Sequence, residues 1–255
     1  GSAGAALFVR KPLGRRGCVK AEYRIEDIDV DVDTIPPAGV PPVPSGFTKE
    51  DGGYLRSALS LTYTYDSRDS NIIPRKGGRA NVGITLAGGA LGGDVDTYSI
   101  AASGSKHWSL PWDMIVNVNG SYETVDSHGG GTVPIFERKF LGGSRNLRGF
   151  EYRDIGPRDP VTEDVLGGQT AAFVSTEMTF PIIENIRGAA FYDMGFVSAD
   201  SWSFDVGGLH SDAGLGLRLN LPFGPLALDY ALPLQDDDSA PDKGGQFNFY
   251  LNYQY

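Results

Sequence analysis

The stretch Phe140-Leu141-Gly142-Gly143-Ser144-Arg145-Asn146-Leu147-Arg148-Gly149-Phe150 sets a glycine pair ahead of an Arg-Gly-aromatic tip. Glycine admits backbone conformations closed to other residues, and arginine carries a planar fork of donors that suits carboxylates. The chemistry this spacing offers is that of a latch, a loop whose arginine pairs with acids on a distant element. Other reactive groupings are sparse. His107, His128 and His210 lack metal-ligand spacing and read as ordinary polar residues. The sequence contains no Gly-x-Ser-x-Gly elbow and no phosphate-binding glycine motif. Cys18 is the single cysteine, so neither an internal disulfide nor a cysteine-based metal cluster can form. These residues point to a protein that is not an enzyme and uses no metal and no cofactor.

A net charge of −10 argues against nucleic acid, whose phosphates demand an excess of Lys and Arg. The runs Asp27 to Asp33 and Asp236 to Asp238 read as acidic loops facing water. In the first, Asp alternates with Ile28, Val30 and Val32, which a strand would split into an acidic and an apolar face. A calcium loop would need a turn glycine and a late Glu that do not follow.

With 35 Gly, 12 Tyr and 13 Phe in 255 residues, the composition favours many strands joined by glycine-rich turns in one all-β domain. The sequence contains no apolar run of about 18 residues, which excludes a membrane-spanning helix and leaves a membrane β-barrel open. The chain starts Gly1-Ser2-Ala3 without Met or a signal peptide, and reads as a processed or truncated piece.

The elements that must position the latch are strands. Phe247, Phe249, Leu251, Tyr253 and Tyr255 alternate with Gln246, Asn248, Tyr250, Asn252 and Gln254. In a barrel the first set faces lipid and the amides a polar lumen, with Tyr255 in an interface belt. A strand of a soluble sandwich alternates in the same way. Similar segments recur: Ala213, Leu215, Leu217, Leu219 and Leu221 against Gly214, Gly216, Arg218 and Asn220, and Leu226, Leu228, Tyr230 and Leu232 against Ala227, Asp229 and Ala231. Ser57 to Asp66 and Met114 to Glu123 share the design.

The connections add a second signal. Short Pro-containing turns at 110–113, 180–185 and 221–225 alternate with long loops near 33–53, 128–168, 199–209 and 234–245. That sidedness belongs to outer-membrane barrels, with short periplasmic turns and long extracellular loops. From Tyr54 onward the pattern predicts about nine strands, and 4–12 and 19–32 add two candidates.

With a barrel argued, further motifs fall into order. Phe140-Leu141-Gly142-Gly143, Leu147-Arg148-Gly149-Phe150 and Ile155-Gly156-Pro157 follow Tyr65-Asp66-Ser67-Arg68-Asp69 with Pro74 and Gly77-Gly78. Phe191-Tyr192-Asp193-Met194-Gly195 comes next, then Gly224-Pro225-Leu226 with Asp229-Tyr230-Ala231 and Pro233. Over residues 54 to 255 this set resembles the C-terminal β-barrel (bacterial surface antigen) domain of the outer-membrane protein assembly factor family, BamA, or a close superfamily relative. Leu147 stands where the family often has Val, and Tyr255 where Phe or Trp is commoner.

The resemblance implies a transmembrane antiparallel β-barrel, here incomplete, with about 9 to 11 of roughly 16 strands. Residues 1–255 would be its C-terminal part, and 128–168 a long extracellular loop folding its Arg-Gly-Phe motif into the lumen. It further implies that Arg148 pairs there with Glu177 and Asp193. Alternation agrees for Glu177, which shares a face with Phe173 and Ser175. Those two acids could serve as an acid/base dyad, but an arginine between them suits a structural clasp better. The loop motif is Gly142, Gly143, Leu147, Arg148, Gly149, Phe150, Gly156 and Pro157, and Phe247, Phe249, Leu251, Tyr253 and Tyr255 form the C-terminal strand signal.

The function implied is folding and insertion of outer-membrane proteins through an edge-strand gate in the outer membrane of a Gram-negative bacterium. The alternative is a translocation or secretion pore of the same superfamily. Expected partners are the lipid bilayer, client outer-membrane proteins and lipoproteins of an assembly complex.

Overall fold

The computed structural model describes residues 1–32, 47, 50–71, 73–204, 208–221, 224–234 and 244–251. Eleven strands follow in order: β1 (Ser2–Leu13), β2 (Gly17–Val30), β3 (Gly52–Asp66), β4 (Gly77–Ala87), β5 (Thr97–Ser109), β6 (Ile115–Ser127), β7 (Thr170–Ile183), β8 (Ile186–Ser198), β9 (His210–Leu221), β10 (Gly224–Pro233) and β11 (Gln246–Leu251). Each pairs antiparallel with its sequence neighbours in one open, all-β sheet of order β1 to β11. Both candidate strands before Tyr54 are present.

The up-and-down order puts all even connections on one end and all odd ones on the other. The turns at 14–16, 67–76, 110–114 and 184–185 share one end, and the connections after β2, β4, β6, β8 and β10 share the other. Of the acidic runs, Asp27 and Asp29 lie within β2 and not in a loop, on the exposed face with Tyr23 and Ile25. Asp33, Asp236 to Asp238, Tyr253 and Tyr255 lie outside the described residues.

Period-two alternation sorts the wall. Leu59, Leu61, Val82, Ile84, Leu215, Phe247 and Phe249 are exposed on the outside, while Asn117, Ser175, Glu177, Asp193, Arg218 and Asp229 are buried inside. An apolar exterior around a charged interior suits a strand wall in lipid, where backbone groups must be paired and bare charge is costly. Among the described residues no helix is long and apolar enough to cross a membrane, which says nothing of strands.

The turn between β3 and β4 shows why its glycine motif is needed. Ser67 N–H donates to the Gly78 carbonyl at 2.8 Å, and Asp69 accepts from the Arg75 and Lys76 amides at 2.9 and 3.2 Å. Gly77 takes φ +92, and a Cβ there would stand 2.2 Å from the Ser67 carbonyl oxygen. Gly77→Ala is therefore expected to destabilise the barrel by about 1–3 kcal/mol. The urea midpoint of the reconstituted protein reads this, and an unchanged midpoint would refute the role of that turn.

Candidate functional site

The long connection between β6 and β7 is built before it reaches the lumen. Gly142 and Gly143 adopt φ +105 and +102, and a Cβ on Gly142 would lie 2.2 Å from the Glu151 carbonyl oxygen. Asn146 Oδ1 accepts from the Gly142 and Leu147 amides at 2.8 and 2.7 Å, and Gly143 N–H donates to the Leu147 carbonyl at 3.1 Å. Leu141, Leu147, Phe150, Ile155 and Ala171 form a small apolar core beneath this turn. The glycine pair thus fixes a conformation, and the tip carrying Arg148 is packed in place.

Gly149 comes next because the tip rests on β9: a Cβ there would stand 2.6 Å from Asp212 Cβ. Gly156 and Pro157 lie away from the tip, where the Pro157 carbonyl accepts from the Leu166 amide at 2.8 Å and Gly156 packs against Val165.

The Arg148 guanidinium meets groups from three strands. Nε and Nη2 donate to the two oxygens of Asp193 on β8 at 2.7 and 2.9 Å. Nη1 donates to Glu177 Oε2 on β7 at 2.8 Å and to Asp229 Oδ2 on β10 at 3.2 Å, and Nη2 reaches Ser175 Oγ at 3.2 Å. The Phe191 ring lies 3.4 Å beneath the guanidinium carbon, so its flat face is covered as well.

A second arginine completes the set. Arg218 on β9 donates to both Glu177 oxygens at 3.1 and 2.5 Å and to both Asp229 oxygens at 2.5 and 3.2 Å. Both oxygens of Glu177 are thereby held by guanidinium donors, an arrangement suited to an ion-pair clasp. Tyr250 Oη donates to Asp229 Oδ2 at 2.9 Å, and Asn248 Nδ2 to the Arg148 carbonyl at 2.8 Å, which ties β11 into the network. Burying such charges is costly, and short charge-assisted hydrogen bonds to every ion are what offset the loss of hydration.

Sequence reasoning named Arg148, Glu177 and Asp193, which the structure brings together. It placed Arg218 and Asp229 on polar inner faces without a role. The available signal was a lone charge in strands whose other members alternate aliphatic and small.

The same loop has a second anchorage. Glu137 is ion-paired with Arg56 of β3, which also reaches Glu26 of β2 at 3.2 Å, and Arg138 pairs with Glu50. The loop therefore spans the lumen from the β2–β3 wall to the β7–β10 wall. Of the C-terminal signal, Phe247, Phe249 and Leu251 are exposed on the outer face of β11. The three histidines stay apart: His107 is buried beside Asn117, His128 Nε2 lies 2.8 Å from the Ala87 carbonyl oxygen, and His210 stands edge-on to Phe150.

Residues 1–255 match the Omp85 superfamily domain. The chain is 29% identical over 246 residues to the outer membrane protein assembly factor BamA of Nitratidesulfovibrio vulgaris, covering 93% of this chain and 30% of that protein. It is 30% identical over 220 residues to a SAM50-like protein of Schizosaccharomyces pombe, covering 80% of this chain and 46% of that one. The chain thus spans under half the length of these curated relatives. Its fold is similar to the crystal structure of BamA from Haemophilus ducreyi lacking POTRA domains 1–3, with a TM-score of 0.75 at 21% identity over 97% of this chain and 53% of that one. It is also similar to CdiB from Acinetobacter baumannii, with a TM-score of 0.62 at 15% identity over 100% of this chain and 42% of that one.

Removing Arg148 leaves Asp193 buried without a counter-charge, and removing either guanidinium leaves Glu177 and Asp229 with one in place of two. Arg148→Met is expected to cost about 3–5 kcal/mol, and Arg218→Met a similar amount. Because Glu177 and Asp229 keep one arginine in each single variant and lose both in the double, the double variant should lose more than the sum. Urea unfolding in detergent or vesicles reads all three, and strictly additive losses would rule out a shared network.

Proposed function

The chain belongs to the Omp85 superfamily, and from that premise we propose that it is the barrel portion of an outer-membrane protein assembly factor, which folds and inserts β-barrel clients in the outer membrane of a Gram-negative bacterium. The observation that carries this reading is the Arg148 clasp, which links the loop tip to β7, β8 and β10 and, through Asn248 and Tyr250, to the last strand. In the proposed mechanism the clasp is structural. It holds the wall beside an edge strand while that edge adds client strands by main-chain hydrogen bonds.

β11 suits such an edge. It pairs with β10 alone in the sheet order, and its outward side chains Phe247, Phe249 and Leu251 match a lipid-facing client strand. In this reading the long loops are extracellular and the short turns periplasmic, strands outside this chain complete the barrel, and assembly lipoproteins are its partners.

A second reading is a translocation pore of the same superfamily. It is favoured by a cavity of about 730 Å³ in the lumen, lined by Asn81, Ser103, Asn119, Arg145, Phe173 and Glu177 among others. Depletion of the protein distinguishes the two. Loss of many outer-membrane barrels supports assembly, whereas loss of a secreted protein with barrels intact supports the pore.

The clasp's part in assembly is tested by Arg148→Glu in the full-length protein, which should lower outer-membrane barrel levels. The rescuing partner is Asp193→Arg, because Asp193 takes both Nε and Nη2 of Arg148, whereas Glu177 also holds Arg218. Unchanged barrel levels in Arg148→Glu would remove the clasp from the mechanism.

A further inference from the structure

The outer wall carries a polar patch that lipid could not tolerate bare. At the long-loop end of β5 to β7, Tyr98 stands opposite Asp126, and Thr124 opposite Thr170. These side chains face outward: Tyr98 is also paired with the exposed Leu86, and Thr124 with Ile100. Toward the opposite end the same face carries Val116, Val118, Val174 and Met178. Hydroxyl and carboxyl groups at this position need partners.

The segment that follows β8 supplies them by folding over the outside of the wall. The Thr170 hydroxyl donates to the Asp200 carbonyl at 2.9 Å, and Ser201 Oγ donates to Asp126 Oδ2 at 2.9 Å. Trp202 N–H donates to Thr124 Oγ1 at 3.1 Å, and its indole N–H to Tyr98 Oη at 3.2 Å. Thr124 and Thr170 end up 1% and 0% exposed. Trp202 takes φ 58, a conformation that a bulky residue keeps only where its surroundings enforce it.

The covering surface is aromatic. The Trp202 ring stacks on Tyr98 at 6.4 Å, and Phe204 on Tyr122 at 5.2 Å and 12°. Their outer faces stay open, with Trp202 45% and Phe204 70% exposed.

We propose that Asp200 to Phe204 form a membrane ledge, which seats Trp202 and Phe204 in the interfacial zone of the leaflet on the long-loop side, with bilayer lipid as the partner. The inference rests on the membrane-spanning reading of the wall. Lipid is the fitting occupant because the ledge continues the apolar exterior of Ile84, Leu86 and Ile100. It also covers a polar patch with the apolar Phe204 ring and the amphipathic Trp202 ring, a residue type that populates membrane interfaces. The Asp200 carbonyl, the Ser201 hydroxyl and both Trp202 N–H groups turn inward onto the wall, while the rings of Trp202 and Phe204 keep one face open.

The test places photoreactive benzoylphenylalanine at Phe204, at Leu215 on the exposed wall of β9 and at Tyr152 on the long loop, each in the full-length protein in phosphatidylcholine vesicles. Lipid adducts by intact mass should form at 204 and 215 at least about fivefold above those at 152. Adducts at 215 with 204 at the level of 152, or capture of protein at 204, would overturn the ledge while leaving the wall in the membrane. Absence of adducts at both 204 and 215 would overturn the spanning reading and the ledge with it. Thr124→Val combined with Asp126→Ala removes two of the strap's four bonds to the wall and should lower the adduct at 204 severalfold with 215 unchanged. An undiminished adduct there would refute the role of those bonds.

Discussion

Buried charge inside the wall must meet opposite charge, and the arrangement of the last five strands depends on that constraint. Glu177, Asp193, Arg218 and Asp229 come from four successive strands and are all at most 4% exposed. A slip of one residue in any strand would turn its charged side chain toward the outer face and strand its partners. The clasp therefore fixes four registers together with the tip of the long loop. Its two guanidinium forks are suited to this because each reaches several carboxylate oxygens in one plane. Ala227 stands opposite Arg218 and Gly216 opposite Asp229, so the facing positions are small where the charged side chains lean across.

The loop is held at both ends, which makes it a brace across the lumen. Glu137 and Arg138 tie it to Arg56 and Glu50, near the start of the sheet, and Arg148 ties it near the end. Within the described residues β1 and β11 share no ladder, and side-chain links from one wall to the other join the two parts of the sheet, with the small core around Leu147 and Phe150 packed between them.

The strands were legible because period-two alternation is a local property, written in neighbouring residues such as Leu215 to Leu221. The loop's purpose was legible because a glycine pair, a lone arginine and an aromatic follow each other in the chain. Arg218 and Asp229 were visible as lone inward charges, but which carboxylate meets which arginine depends on registers across β7 to β10, and alternation does not encode register. Glu50, Glu137 and Arg138 were silent for the same reason. The strap after β8 was read as an ordinary polar loop. Its hydroxyls and carbonyls bond outward-facing residues on β6 and β7, and no spacing within 199–204 reveals a surface met only after folding. Asp27 and Asp29 misled in the opposite direction, since an acidic run reads as a loop although a strand can project acids outward beyond an apolar stretch.

The last strand shows how the clasp and an edge are physically joined. Among the described residues β11 pairs with β10 over Leu226–Ala231. Two side-chain bonds supplement this ladder, Tyr250 to Asp229 and Asn248 to the Arg148 carbonyl, and both end on members of the clasp. Freeing β11 removes a donor from Asp229 and a donor from the loop tip, so the strand and the clasp cannot change independently. The coupling requires no motion of the wall. It follows from an acid on β10 that accepts from Arg148, Arg218 and Tyr250 at once.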